Sequence, residues 1–549
     1  MNFLQRNRLT RLWLNRLALT AAIVACCGAV EAIELKAMFP AGARRGSKVQ
    51  VELVGDFPEW PVTIECREAG LQWEVSAEEK GKVTVTLADD LVPGGYWVRV
   101  ADAQGASRAR RFWVSTVEEQ MEPASAQEAL QQPVVLHDPR IINGRLEKNN
   151  EVDSVAVNLT QGQELVAQVD AHRLLGSPMD CVLQLVDVAS DVVLQQVDDT
   201  VGLDPQLRIV APRTGQYLLR LFAFPETPNS RIGFAGSVDF VYRLNLSSTG
   251  ILQAATPLSA GVSLAKEPLT PVWLGSPREQ TVQQHTFFDG VDQRVRVFQL
   301  GTPGVAVVPL LPDADVYHLL DGPPTEPISV GPTLAVTGRV GRETGDSRVP
   351  MRAEPGSTLR IDVASRELNF PLDPVVTVLG DDNKQLAHVD DAGSSRDATL
   401  TVTVPPSGSL LLVIRDLHGR GGENFLYRAT IEKVTPRWRV SVANEVFATP
   451  TDEPIQIAVT IERLDGYEGD LEIAATGLPE GVLATSATSR MKTDTEKQVT
   501  LTVQSAHAAH GPFRIIAVTP RGAEYRPATT SATVPGEQHQ ELYLVVKPK

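Results

Sequence analysis

Apolar and polar residues alternate along nearly the whole chain from Ile33 onward. Lys48-Val-Gln-Val-Glu-Leu-Val54, Lys82-Val-Thr-Val-Thr-Leu87, Leu165-Val-Ala-Gln-Val169, Tyr217-Leu-Leu-Arg-Leu221 and Thr399-Leu-Thr-Val-Thr-Val404 are examples. Successive side chains of a strand point to opposite faces, so each run predicts a strand with one buried face. Gly, Pro, Asp or Asn flank each run, as tight turns require. Runs of this kind recurring every ten or so residues predict an all-β chain of antiparallel sandwiches. Helical periodicity is scarce. Ala124 to Gln132, acidic and Pro-flanked, reads as one or two helical turns within a linker.

The patterned runs repeat. Asn143-Gly-Arg-Leu146 recurs as Thr337-Gly-Arg-Val340, and Gly162-Gln-Glu-Leu165 as Gly356-Ser-Thr-Leu359. Ser177-Pro-Met-Asp180 recurs as Phe370-Pro-Leu-Asp373, and Val197-Asp-Asp199 as Val389-Asp-Asp391. Gly215-Gln-Tyr-Leu218 recurs as Gly408-Ser-Leu-Leu411, and Phe240-Val-Tyr-Arg243 as Phe425-Leu-Tyr-Arg428. The order is kept at an offset of about 190 residues, so the repeat is an internal duplication. The segments before each copy match more weakly: Ile33 to Pro40 leads to Val51-Glu-Leu-Val-Gly55, and Ile251 to Pro257 leads to Pro271-Val-Trp-Leu-Gly275.

Length then bounds the count. Domains hold ~100–150 residues, so 549 residues predict four or five. The expected division is a leader at 1–32, an immunoglobulin-like sandwich at 33–116, a linker at 117–136 and the first repeat copy at 137–246. A divergent immunoglobulin-like sandwich follows at 247–334, then the second copy at 335–435 and a last immunoglobulin-like sandwich at 436–549. Arg6, Arg8, Arg11 and Arg16 precede the apolar run Leu17–Val30, and Val30-Glu-Ala32 offers small residues for cleavage, the pattern of a secretory signal peptide. The alternative is a lipoprotein box at Ile23-Val-Ala-Cys26, with a lipid anchor on Cys26. No later segment is long and apolar enough for a transmembrane helix.

Setting aside the leader's four arginines and one glutamate takes the net charge from −16 to −19. That balance, with no basic run, makes nucleic acid and anionic membranes poor partners. Two cysteines remain beyond the leader, Cys66 and Cys181, in separate strand-like runs; they read as buried thiols rather than a bridge.

The order of these motifs is similar to the bacterial pre-peptidase C-terminal (PPC) domain over 137–246 and 335–434, and the preceding segments resemble TIG/IPT-type immunoglobulin-like modules. The resemblance implies a jelly-roll-like, non-catalytic sandwich of exported proteins, appended to secreted peptidases; some relatives bind calcium. Carried over, it offers Asp153, Asp180, Asp198, Asp199 and Asp204 in the first copy and Asp346, Asp373, Asp390 and Asp391 in the second as calcium candidates, with Asp397 displaced by one. Carboxylates grouped on a turn suit a hard cation. Asp-Asp is equally a turn former, and Asp180 and Asp373 can end loops by accepting backbone N–H bonds.

Enzyme signatures are missing. His507 and His510 lack the third ligand a zinc site needs and are expected in a loop before Gly511-Pro512. There is no Gly-x-Ser-x-Gly elbow, and Gly345-Asp-Ser347 belongs to a repeat strand. Trp97 and Trp113 are expected in a core, and Trp60, between prolines, at the surface as a platform for a sugar. The functional expectation is an exported, non-catalytic binding, adhesion or scaffold protein that engages a protein or polysaccharide of the cell envelope or exterior. Its alternative is an exported hydrolase or the accessory subunit of one.

Overall fold

The computed structural model describes residues 33–549 apart from 229, 231–232, 263–267, 278–280, 290–291, 313, 392, 394 and 523. The leader and Cys26 lie outside the described residues. About 54% of the chain is strand and 3% helix, so the protein is all-β. Alternation in sequence becomes alternation in burial. In Lys82–Leu87 the valines and the leucine are buried and the residues between them are not. Ala398–Thr403 buries every second side chain in the same way.

Hydrophobic cores follow one another along the chain. The first, between two four-stranded sheets, is built from residues such as Val51, Val85, Val98 and Phe112. A smaller core around Val295, Val297 and Val308 lies in the stretch 252–310. The last surrounds Trp438, Ile473 and Leu544, between a four-stranded and a six-stranded sheet.

Two larger cores hold the repeat copies. The first copy comprises β1 (Glu118–Met121), β2 (Val134–Val135), β3 (Arg140–Arg145), β4 (Asp153–Leu159), β5 (Glu164–Asp170), β6 (Met179–Asp187), β7 (Val192–Val197), β8 (Gln206–Val210), β9 (Gly215–Pro225) and β10 (Val241–Ser247). The second comprises β11 (Ala314–Leu319), β12 (Ile328–Ser329), β13 (Thr333–Arg339), β14 (Ser347–Arg352), β15 (Thr358–Ala364), β16 (Pro374–Leu379), β17 (Gln385–Val389), β18 (Ala398–Thr403), β19 (Ser409–Asp416) and β20 (Leu426–Lys433). The first copy's sheets run β2-β4-β9-β6-β7 and β8-β5-β10-β3-β1. The second copy's run β12-β14-β19-β16-β17 and β18-β15-β20-β13-β11, the same order strand for strand.

Segment 117–136, expected as a linker, is part of this plan. β1 pairs parallel with β3 and β2 parallel with β4. Between them lies helix α1 (Ala126–Gln131), whose N-cap Ser125 accepts the Glu128 N–H. Ala129 of α1 packs on Ala156, Val186 and Leu218, which straps the segment to the sheet. Strands as short as β2 leave little periodicity to read.

Two of the repeated motifs act on each other. Gly144 lies opposite Tyr242 and Gly338 opposite Tyr427. A Cβ at Gly144 would stand 2.1 Å from the Tyr242 ring, and one at Gly338 2.2 Å from the Tyr427 hydroxyl. Each tyrosine is fully buried across its glycine, so the two positions were retained as a pair.

The sandwiches also contact each other in a closed circuit. The first meets the first copy through Trp113 to the Leu174 carbonyl, and the third through Arg296 to the Gly95 carbonyl. Leu258 of the third donates to Thr337 of the second copy. Arg360 of that copy bonds Asp465 of the last sandwich. The last returns to the first: Glu445 accepts from Arg99 at 2.5 Å and from the Ala109 N–H at 3.0 Å.

Gly144→Ala and Gly338→Ala are each expected to destabilise their sandwich by about 1–3 kcal/mol through overpacking. Pairing Gly338→Ala with Tyr427→Leu should return part of the loss in denaturant unfolding, and a purely additive double mutant would refute the coupling.

Candidate functional site

The candidate aspartates separate into different roles. Asp204 and Asp397 are equivalents. Asp204 accepts the N–H groups of Ala171, His172 and Arg173, and Asp397 those of Ser365, Arg366 and Glu367. Both carboxylates close the bend after β5 or β15. Burial pushes Asp204 up to about 6 despite the Arg173 charge beside it.

Asp153 opens β4 and meets Tyr242, whose hydroxyl lies 2.9 Å from its carboxyl and 2.7 Å from that of Glu122. The Arg145 N–H donates to the other Glu122 oxygen at 2.9 Å. Burial, then the neighbouring Glu122, pushes Asp153 up to about 9; burial also raises Glu122. The two carboxyls therefore share a proton near neutral pH. In the second copy the corresponding hydroxyl, that of Tyr427, bonds Ser347 at 2.8 Å. Asp346, the expected counterpart of Asp153, instead precedes β14 and pairs with Arg348 and Arg415. The loops before β4 and β14 are equally long, 146–152 and 340–346, so the spacing from Gly144 and Gly338 puts Ser347, not Asp346, at the position of Asp153.

Asp180 faces out from β6, and burial followed by the charges of Asp199 and Asp198 raises its pKa. Asp198 and Asp199 are exposed on the turn after β7, as are Asp390 and Asp391 after β17. Asp373 is buried just before β16, with its N–H bonded to Asp416 and Arg366 4.0 Å from its carboxylate. Among the described residues no three His, Cys, Asp or Glu side chains are grouped as a metal centre.

Other expectations are corrected. Trp60 is half-buried, packed near Phe57 and bonded to the Ser76 carbonyl. Trp97 and Trp113 lie at junctions rather than in a core. Trp97 sits between Arg111 and His539, and Trp113 packs beside Leu175 and Val241. Each fills the gap between two sandwiches, which alternation within one strand cannot reveal. His510 is on the strand Ala509–Val518, 3.1 Å from the Tyr543 hydroxyl, not in a loop. Both thiols are free: Cys181 is buried and Cys66 half-buried.

One recess was not anticipated from the sequence. A cleft of about 650 Å³ opens between the second copy and the last sandwich. Arg360 reaches it from the outer face of β15, where the alternation that buries Leu359 and Ile361 turns the arginine outward. Asp465 reaches it from the turn after the strand Ile455–Leu464. Asp465 and Gly466 both have positive φ, at 55° and 81°, and the Tyr467 N–H closes the turn on Leu464. That is the geometry an Asp-Gly pair adopts in a tight hairpin. Arg360 donates to both Asp465 oxygens, at 2.9 and 3.1 Å, and Arg437 stands 3.0 Å from the same carboxylate. Glu432 lies 3.9 Å from Arg437. The rim carries Lys433 with Glu354 and Arg526 with Glu524. Asp465-Gly466 is a turn signal that reading by alternating runs and acidic pairs passes over; its meeting with β15 leaves no signal in sequence.

No protein-family model and no curated protein matches the chain. Alignments to solved structures are distant. The M60 catalytic domain with two CBM51 domains from Clostridium perfringens ZmpB is 10% identical at a TM-score of 0.13, over 74% of this chain and 55% of that one. Escherichia coli alpha-2-macroglobulin is 13% identical at 0.15, over 93% and 53%. The Bacteroides ovatus glucan-utilization protein SGBP-B, solved with a mixed-linkage heptasaccharide, is 9% identical at 0.14, over 72% of each. The chain spans about half the length of the first two. Similarity of this size carries no functional weight, and the fold class rests on the chain's own sheets. No helix among the described residues is long and apolar enough to cross a membrane.

The Asp153 shift sets a pH dependence. The native state keeps a proton that the unfolded chain releases at the ordinary value of 3.8, so stability falls as pH rises from there toward about 9. Asp153→Asn keeps a donor without the charge. Its stability relative to wild type is expected to grow with pH, by at most about 1.4 kcal/mol per unit. Denaturant unfolding at pH 5 and pH 8 measures this, and an equal difference at both would contradict the shared proton.

Proposed function

We propose that the chain is an exported, non-catalytic binding and scaffold protein whose sandwiches are locked into one body. The two repeat copies are read as PPC-like sandwiches. Export follows from the signal-like segment 1–32, and the expected partner is a polysaccharide or protein of the cell envelope or exterior. The observation that carries the reading is the buried Arg99–Glu445 pair, joining the first and last sandwiches across 346 residues. Its side chains are 6% and 1% exposed. Arg111 with Glu537, Arg67 with Glu541, and a small apolar contact of Ala101 and Ala106 with Tyr543 and Val545 extend that junction.

A non-catalytic role is supported by how the buried acids are used. Asp204 and Asp397 hold backbone amides, Glu122 and Asp153 hold Tyr242, and Glu445 holds two sandwiches together. Each is occupied by a structural partner. A rigid body of this kind can hold a cleft of fixed width between two sandwiches, as ligand sites formed at domain junctions require.

Glu445→Ala leaves Arg99 buried without its partner and is expected to cost about 3–5 kcal/mol of docking. Small-angle scattering should then show an increased radius of gyration while the separate sandwiches keep their secondary structure. Arg99→Met combined with Glu445→Leu should recover most of the compactness. An unchanged radius in Glu445→Ala would remove the locked-body reading. Turnover of a peptide or glycan substrate, abolished by a point change in the cleft, would replace it with a hydrolase.

A further inference from the structure

We propose that the outer face of β14, β19 and β16 in the second copy is the docking surface for an acidic amphipathic helix of a partner protein. The proposal rests on the binding role above and gives that role its partner class.

The duplication shows what the face is shaped for. In the first copy α1 lies on the row Ala156, Leu218 and Val186, which points away from the core across β4, β9 and β6. The same row in the second copy is Pro350, Leu411 and Leu379, across β14, β19 and β16, while their neighbours Val349, Leu412 and Val378 fill the core. All three outward residues are half-buried. Leu417, 48% exposed just past β19, extends the apolar surface. No helix is laid over this row by its own strap. Residues 320–327 run from β11 to β12 as bends, and Leu320 packs toward the third sandwich instead.

Charge separates the two copies. Ser154 and Asn158 flank Ala156 in the first, and Arg348 and Arg352 hold those positions in the second. Arg415 adds a third exposed guanidinium from β19. Asp346 serves both Arg348 and Arg415, at 3.0 and 3.7 Å, so three arginines face one acid. The next acids along these strands lie on the turns that end them. Glu354, past β14, is held by Lys433, and Asp381 and Asp382, past β16, precede Lys384. The end of a docked helix is also matched. The carbonyl of Leu130, in the last turn of α1, accepts from Gln216, which lies opposite Asn158, the position of Arg352. A helix seated in the same way would set its C-terminal carbonyls beside a cation. On a chain of net charge −16, arginines around an apolar row select an acidic helix with an apolar stripe. An acidic polysaccharide would engage the arginines and leave the row unmatched.

A synthetic peptide of residues 118–132 is the probe, since it contains α1, carries Glu118, Glu119, Glu122 and Glu128, and has no basic residue. So short a helix is marginal in water and orders as it docks, which keeps its affinity modest. Isothermal titration into the full chain is expected to show saturable binding tighter than about 1 mM, weakening as salt rises. A scrambled peptide of the same composition should bind about tenfold more weakly, and so should the authentic peptide to the double variant Arg348→Glu with Arg352→Glu. Asp346→Asn, which releases Arg348 and Arg415, should raise affinity several-fold, a gain that misfolding cannot produce. Unchanged affinity in the double variant would place the peptide elsewhere and overturn the assignment of this face. Equal binding of the scrambled peptide would overturn the helix. An absence of binding by a protein whose scattering stays compact would end the partner assignment and leave the scaffold standing.

Discussion

A charge taken out of water between two sheets must find its opposite there, and this requirement governs how the sandwiches are joined. An isolated buried ion is too costly to persist. Arg99 and Glu445 meet it at the junction of the first and last sandwiches. Arg243 and Glu119 meet it where β10 and β1 face the first, at 4% and 7% exposure with two hydrogen bonds of 2.7 and 2.9 Å. Arg360 and Asp465 meet it at the last junction while still open to solvent. The first two pairs seal their interfaces. The third lines an open cleft. Such pairs add little net stability over apolar packing, but they discriminate strongly between one docking geometry and another.

Duplication supplied the frame on which these junctions differ. The sheet order, the Gly–Tyr pairing and the aspartate that ties down the bend are common to both copies. What lies beside the buried tyrosine is not. In the first copy Tyr242 holds two acids, one of them from the segment after β1. In the second, Tyr427 holds the Ser347 hydroxyl, and burial pushes the phenol up to about 12. The same scaffold position thus carries a proton-sharing pair in one copy and a neutral contact in the other.

Much of the fold was legible because burial of one sheet face writes itself into every second residue. Lys82–Leu87 and Thr399–Val404 could be read without ambiguity, and the six ordered matches revealed the duplication. Glu118–Met121 and Val134–Val135 could not be read as strands, since their pairing depends on partners distant in sequence rather than on their own periodicity. The tryptophans show the same limit. Trp97 and Trp113 are half-buried against a neighbouring sandwich, and nothing within their own strands records that neighbour. Of the candidate site, Asp465-Gly466 carries a turn signal that went unread, whereas the approach of Arg360, Arg437 and Asp465 exists only once two sandwiches are placed side by side.

The long reach between Arg99 and Glu445 has a temporal consequence. A growing chain presents the first sandwich well before the acid that completes it has been synthesised. Until then its docking face, with Arg99, Arg111 and Trp97, must stand in water. Chains stopped before Glu445 would expose that surface permanently, so closure of the circuit waits on synthesis of the last sandwich.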